Sequence, residues 1–131
     1  MLGLIGKKIG MTQVFDTNGI LTPVTVIKIE DNVVIENRTV EKNGYNSCVL
    51  GSFDKKKSRT TKPYAGQCTD VCAPKKTLVE MRDFDKEAAV GEVLKVDVFN
   101  DVSFVDVVGT SEGKGFQGGM KRHHFAGGRA T

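Results

Sequence analysis

The glycine-rich segment Gly109–Thr131, which we call the arm, constrains the fold more than any other part of the sequence. It holds seven of the chain's fifteen glycines in twenty-three residues. Because it has few large apolar side chains, burial cannot offset the backbone entropy that is lost when so many glycines become ordered. We therefore expect the arm not to fold by itself and to become ordered on a partner.

The arm also carries the whole positive excess of the chain. Its four basic residues stand against one acid, Glu112, which gives it a formal charge of +3. The full chain has 19 basic and 16 acidic residues, also a net +3, so residues 1–108 are electrically neutral. A cationic segment on a neutral body favours a negatively charged partner.

The remaining composition is that of one small domain. Of the 131 residues 39% are hydrophobic, which suffices for a core without metal or disulfide staples. No apolar run approaches eighteen residues, and the first residues lack the long hydrophobic stretch of a signal peptide, so we expect a cytosolic protein. Three cysteines, Cys48, Cys68 and Cys72, are an odd number, which favours reduced thiols.

Short β-prone runs separated by turn signals fill the first hundred residues. Asn18–Gly19 and Asn43–Gly44 tolerate the positive φ angles of tight turns. A short helix is expected at 64–71 after Pro63, with weaker helical character at 86–89. The predicted strands are 12–15, 22–30, 33–40, 45–50, 77–82, 92–99 and 102–108. The early strands should form an antiparallel meander, and the spacing favours a mainly β fold, a small barrel or a sandwich, over a helical or βαβ design.

A second basic patch lies on a loop between two predicted elements. Five basic residues surround one acid, Asp54, in this stretch: Lys55, Lys56, Lys57, Arg59 and Lys62. Such a loop can bind a polyanion, although an exposed basic loop needs no ligand.

Within the arm, Met120–Phe125 combines cations, imidazoles and an aromatic ring. This combination can contact phosphates and stack on unpaired bases. Phe116 stands between glycines, where its own chain can hardly cover it. Both features favour RNA contact over the alternative of a disordered tail.

A different interpretation of the arm comes from Gly113–Gly118, which spells G-x-G-x-x-G. In a dinucleotide-binding fold these glycines open a helix inside a βαβ unit, and an acid follows about twenty residues on. Here Gly119 follows at once and no acid appears after Glu112. A nucleotide-binding enzyme is therefore kept as one alternative, beside a β-barrel interaction module with a disordered basic tail.

Metal ligation and catalysis find little support in the sequence. Cys68 and Cys72 have i, i+4 spacing and His123 and His124 are adjacent, but adjacent side chains rarely converge on one ion. The two pairs also lie on segments of different character. No triad of serine, histidine and acid can be assembled from spacing alone. We predict no metal, no cofactor and no enzymatic activity.

Four stretches carry a resemblance to a known family. They are GLIGKKIGMTQVF near the start, TKP at Thr61–Pro63, VGEVLKVDVF at Val90–Phe99, and GTSEGKGFQGGMKRHHFAGGRAT in the arm. Together they resemble the bacterial form of the universal large-subunit ribosomal protein L3 family. The resemblance runs from Met1 to Thr131, and the arm is its most specific part.

The resemblance implies a translation-protein-type β-barrel seated on large-subunit rRNA. A long loop inserted in that barrel threads between RNA helices toward the peptidyl transferase centre. The role it implies is architectural, in early assembly and in holding the RNA in shape, without catalysis of peptide-bond formation. The implied partners are large-subunit rRNA of the 23S type and neighbouring ribosomal proteins in the cytoplasm, with neither DNA nor membrane.

Matching positions give the residues expected at RNA. These are Lys7, Lys8, Lys55, Lys56, Lys57, Arg59, Lys62, Lys114, Phe116, Gln117, Lys121, Arg122, His123, His124 and Arg129. Members of the family continue past Thr131 into strands that close the barrel. We therefore expect an incomplete barrel body at 1–108 and the start of the extension at 109–131.

Overall fold

The computed structural model describes residues 2–68, 71–85 and 88–129, and in these residues the protein is mainly β. The helices are short. The strands are β1 (Gly6–Phe15), β2 (Leu21–Ile29), β3 (Asn32–Arg38), β4 (Ser47–Asp54), β5 (Lys75–Arg82) and β6 (Val93–Leu94). The α-helices are α1 (Val40–Asn43), α2 (Lys62–Gly66) and α3 (Gly119–His123), and 3₁₀ turns lie at Lys57–Arg59 and Val96–Phe99.

The chain divides into two compact units, residues 1–101 and residues 102–131. The first unit contains all the strands, and the second contains α3. The sequence-based division after Val108 stays a prediction.

The strands β1 and β2 form a two-stranded antiparallel ribbon. Its turn follows from Asp16–Gly19: the Gly19 amide donates to the Asp16 carbonyl at 2.8 Å, and Gly19 itself has φ of 75°. A turn closed by a glycine in the left-handed region is a common three-residue hairpin, so the Asn18–Gly19 signal is confirmed. Apolar side chains on the ribbon remain open to solvent; Met11 is 69% exposed and Phe15 71%.

The other strands form a four-stranded antiparallel sheet in the order β5-β4-β3-β6. The meander expected from the early strands is therefore split, because β2 and β3 belong to different sheets. The buried Asn32, at the start of β3, bonds to neighbouring backbone groups. Its side-chain oxygen accepts from the Ile5 amide at 2.9 Å, and its nitrogen donates to the carbonyls of Ile5 at 3.2 Å and Glu30 at 2.8 Å. Asn32 thus ties the start of β3 to the residue before β1 and to the residue after β2.

Alternation along the central strands places a core on each face of the sheet. Val34 and Leu50 are fully buried on one face, in the cluster that includes Leu94. Ile35 and Val49, the neighbours of Val34 and Leu50 in sequence, lie in the other cluster with Cys68. Successive strand residues point to opposite faces, so two clusters are the direct result of two apolar runs.

The end of the body departs from the predicted strands. The strand predicted at 92–99 is wrong beyond Leu94, since β6 pairs with β3 at only two positions and a 3₁₀ turn follows. The strand predicted at 102–108 is also wrong: no strand forms there, and Val108 is 95% exposed. Alternation shows that a segment can be half-buried in a sheet, but a strand also needs a neighbour to pair with.

Two turn and helix predictions need smaller corrections. The strand predicted at 33–40 ends at Arg38, and α1 follows; Gly44, with φ of 82°, ends this helix rather than a hairpin. The helix predicted at 64–71 begins earlier, at Lys62, with Pro63 in its first turn, and ends at Gly66. Residues 69–70 of this helix prediction and residues 86–87 of the weaker one lie outside the described residues.

The barrel expected from the sequence is not closed in the described part of the chain. The ribbon and the four-stranded sheet are separate sheets. The mainly antiparallel β character and the few short helices are confirmed. Among the described residues there is no helix with the length and apolar character needed to span a bilayer.

Candidate nucleic-acid interface

The loop Lys55–Lys62, which we call the basic loop, is ordered by its own hydrogen bonds. It leaves β4 at Asp54, and the Lys55 amide donates to the Pro74 carbonyl at 2.8 Å. The 3₁₀ turn is closed on the Lys56 carbonyl, which accepts from the Arg59 amide at 2.9 Å and the Thr60 hydroxyl at 3.0 Å. The loop therefore has a defined shape without any ligand.

Tyr64, in α2, contacts both the basic loop and the strand β5. Its hydroxyl donates to the Lys75 carbonyl at 2.8 Å, and the Lys55 Nζ lies 4.5 Å from the centre of its ring. Burial raises the pKa of Tyr64 above its ordinary value, so the hydroxyl stays a donor at neutral pH. Sequence reasoning did not identify this residue; the only signal was an aromatic residue directly after a run of cations.

The acid that precedes the basic loop already forms an ion pair within the sheet. Asp54 pairs with the Lys75 Nζ at 2.8 Å. In the described part of the chain, no acid pairs with the remaining exposed cations of the loop, which are Lys56, Lys57, Arg59 and Lys62. Four uncompensated positive groups on one ordered loop are a surface suited to an anion.

The structure places Lys7 and Lys8 on β1 of the ribbon, both exposed. Because they are consecutive residues of a strand, their side chains point to opposite faces. Lys7 lies opposite Lys28, which is paired with Glu30 at 2.8 Å. The two lysines are therefore not brought together on one surface.

In the arm, two of the four cations lie on α3. This helix begins after Gly118, whose carbonyl accepts from the Lys121 amide at 3.1 Å and the Arg122 amide at 3.0 Å. It ends at His123, and the next residue, His124, has φ of 56° in the left-handed region. The rings of His123 and Phe125 then lie with centroids 5.5 Å apart at 30°. The helix thus carries two cations and leads into an aromatic pair.

The rest of the arm is open. Phe116 is 98% exposed, and Gln117 donates to the Lys114 carbonyl. Lys114 contacts Glu112 at 3.5 Å, the one acid of the arm. For Lys121, Arg122 and Arg129, no ion pair is formed with any described residue. The predicted RNA-binding residues of the arm are thus accessible, with most of their charge uncompensated.

The geometry disfavours a nucleotide site at Gly113–Gly118. The dinucleotide fold needs a strand before these glycines and a helix opened by them. Here residues 102–108 form no strand, and α3 begins only at Gly119 and has five residues.

The cysteines have a structural role in the described residues. No group of three or more metal-binding side chains occurs in the ranges that the structure covers. Cys68 is fully buried in an apolar cluster, against which Cys72 packs. Burial raises the pKa of Cys48 and of Cys72, which disfavours the thiolate form that metals and electrophiles require.

The fold and these surfaces define a class of protein: small, mainly β, with two cationic surfaces, one on an ordered loop and one on a glycine-rich arm. Residues 41–131 match the family model described as Ribosomal protein L3. The chain belongs to the ribosomal protein L3 family, and the resemblance found in the sequence is thereby confirmed.

Curated relatives support this assignment along the whole chain. The chain is 55% identical over 131 residues to the large ribosomal subunit protein uL3 of Treponema denticola. It is 52% identical to the protein of that name from Borreliella afzelii and 50% identical to the one from Treponema pallidum, again over its full length. It spans 63% of the Treponema proteins and 64% of the Borreliella protein.

Proposed function

We propose that the protein is a structural constituent of the large ribosomal subunit that binds large-subunit rRNA of the 23S type. The observation that carries the proposal is that four exposed cations of the basic loop and three of the arm have no acid partner among the described residues. Membership of the ribosomal protein L3 family and the name of the relatives support it.

The chemistry of binding is neutralisation of phosphates. Each lysine or arginine that meets a phosphate releases condensed counterions, so affinity falls as salt rises. The basic loop supplies cations at fixed positions. The arm supplies cations together with Phe116, His123 and Phe125, whose rings can stack on unpaired bases. Glycines suit such an arm because a backbone without side chains can approach phosphates closely.

The role that follows is architectural and not enzymatic. The protein would help to assemble the large subunit in the cytoplasm and hold its RNA in shape beside neighbouring ribosomal proteins. The arm would form the base of an extension toward the peptidyl transferase centre. In the longer proteins of the family, the ribbon and the sheet would belong to one β-barrel; the exposed apolar side chains of the ribbon support that closure.

The test is binding of the 131-residue chain to a large-subunit rRNA transcript at several salt concentrations. We expect nanomolar to micromolar binding that falls steeply with salt, and protection of a few defined RNA segments from chemical probes. A duplex DNA of equal length is the control. Equal affinity for this DNA, with no defined footprint on the RNA, would reject the proposal.

A further inference from the structure

Tyr64 joins the basic loop to the sheet. Its hydroxyl is fixed on the carbonyl of Lys75, which lies in β5 directly opposite Asp54 of β4. Lys75 is itself held by its ion pair with Asp54, and its side chain is only 12% exposed. The ring of Tyr64 is therefore held against a rigid part of the fold.

Lys55 is fixed at both ends. Its backbone amide donates to Pro74 at 2.8 Å, and its ammonium lies 4.5 Å from the centre of the Tyr64 ring. An ammonium over an aromatic face is attracted by the ring quadrupole. Lys56, Lys57, Arg59 and Lys62, in contrast, are exposed and have no such contact in the described chain. Lys55 is thus the cation of the loop whose head group is positioned before any ligand arrives.

Positioning matters because a free lysine loses rotamer entropy when it binds a phosphate. A lysine already held in one orientation loses less, so the same contact is stronger. Apart from the ring, the Lys55 ammonium forms no hydrogen bond or ion pair with any described residue. Its N–H groups remain able to donate to a phosphate oxygen.

We propose that Tyr64 is a positioning residue of the RNA site, which holds the Lys55 ammonium ready for a phosphate of the RNA backbone. This inference rests on the proposed function. Tyr64 itself need not contact the RNA; it acts through Lys55.

The test is a double-mutant cycle on the affinity of the full chain for a large-subunit rRNA transcript. Tyr64→Leu should weaken binding about two- to fivefold, the effect of losing one cation–π contact. It should leave the salt slope nearly unchanged, since the charge of Lys55 remains. Lys55→Ala should lower that slope by about 0.7 to 0.9. Tyr64→Leu added to Lys55→Ala should have no further effect, because the residue to be positioned is gone.

Two controls separate positioning from a structural role. Tyr64→Leu combined with Lys57→Ala should give the product of the two single effects, since Lys57 does not contact the ring. Tyr64→Phe keeps the ring but removes the hydroxyl bond to Lys75, so it should bind more tightly than Tyr64→Leu and at most as tightly as the parent. Pentafluorophenylalanine at position 64 keeps the shape of phenylalanine but removes the negative ring face, so it should bind more weakly than Tyr64→Phe, a comparison that does not depend on the folding of the leucine variant.

The outcomes are distinct. An equal loss from Tyr64→Leu with and without Lys55 would overturn the inference, as would equal binding of the pentafluorophenylalanine and Tyr64→Phe variants. If Lys55→Ala changes neither affinity nor salt slope while Arg122→Ala weakens binding, the inference fails and the proposed function stands on the arm. If the parent chain does not prefer rRNA over DNA, the proposed function fails, and the inference with it.

Discussion

The basic loop and the arm both carry several cations, but they differ in how the backbone that carries them is held. The basic loop rests on β4, β5 and Tyr64, and its backbone is closed by hydrogen bonds. The arm has one five-residue helix, and apart from Gln117 its long side chains extend into solvent. Under the proposed function, the difference would give two ways to present cations to RNA: a surface that is ready before binding, and a segment that becomes ordered during binding.

The amide side chains Asn32 and Gln117 give the sharpest test of the difference in packing between the sheet that supports the basic loop and the arm. Asn32→Ala removes two buried hydrogen bonds and a partly buried third, so the free energy of unfolding should fall by about 2–4 kcal/mol. Gln117→Ala removes one exposed bond in the arm and should change it by less than about 0.5 kcal/mol. Chemical denaturation followed by circular dichroism measures both. Equal effects of the two substitutions would contradict the comparison.

Two glycines offer a second matched pair. A Cβ at Gly51 would lie 2.5 Å from Ile35 Cδ1 and 2.9 Å from Lys75 Cγ, whereas one at Gly113 would meet nothing within 4 Å. Gly51→Ala should therefore lower the free energy of unfolding by about 1–3 kcal/mol through overpacking. Gly113→Ala should leave it unchanged. Urea midpoints of the two variants report the result, and a destabilised Gly113→Ala would mean that the arm is packed in the free chain.

The two cationic surfaces should differ when RNA binds. Replacing Lys121 and Arg122 by alanine should flatten the dependence of log affinity on log salt by about 1–2 units and leave the first unit folded. Replacing Lys56 and Lys57 should flatten it by a similar amount. Only the arm variant should also reduce the number of amides that become protected from hydrogen exchange on binding, because only the arm gains order. Identical exchange patterns would remove the distinction.

The smallest effect concerns acid stability of the first unit. Burial acts to raise the pKa of Glu80, but the neighbouring polar side chains of Tyr45 and Ser47 and the charge of Arg38, whose Nη1 lies 2.6 Å from Glu80 Oε2, outweigh it, so the pKa lies below its ordinary value of 4.5. A lowered folded-state pKa contributes stability above about pH 4.5 that is lost as the pH falls through the folded value. Thermal unfolding of Glu80→Gln should show a weaker loss between pH 5 and pH 3 than the parent; equally steep profiles would exclude Glu80 as a source.

Sequence reasoning reached the fold class because local signals agreed. Turn glycines, such as Gly19, and β-branched runs, such as β2, act over a few residues. It failed where a distant partner decides the outcome. The alternating run at 92–99 leaves the sheet after Leu94 because Leu94 lies opposite Asn32, the first residue of β3, so that later residues have no residue of β3 to pair with. The early meander is split because β2 pairs only with β1 while β3 pairs with β4 and β6, and sequence reasoning treated Asn32 only as part of a turn, without its bonds to Ile5.

For the candidate site, too, local features could be predicted and contacts between distant residues could not. Charge and composition identified the cations of the loop and the arm, because formal charge can be counted residue by residue. They could not identify Tyr64, whose effect depends on the approach of Lys55 and Lys75 from other elements. Nor could they show that Lys7 and Lys8 would point to opposite faces, since a strand was predicted only from Thr12 onward.

The connectivity around Asn32 has a consequence for the order of folding. The hairpin of β1 and β2 needs only contacts between residues close in sequence, while the edge pairing of the second sheet joins Asn32 to Leu94. Local pairing closes faster than distant pairing. During synthesis the ribbon should thus form before the sheet, and pulse-labelled exchange of growing chains would show the hydrogen-bonded amides of the β1–β2 ladder protected before those that pair β3 with β6.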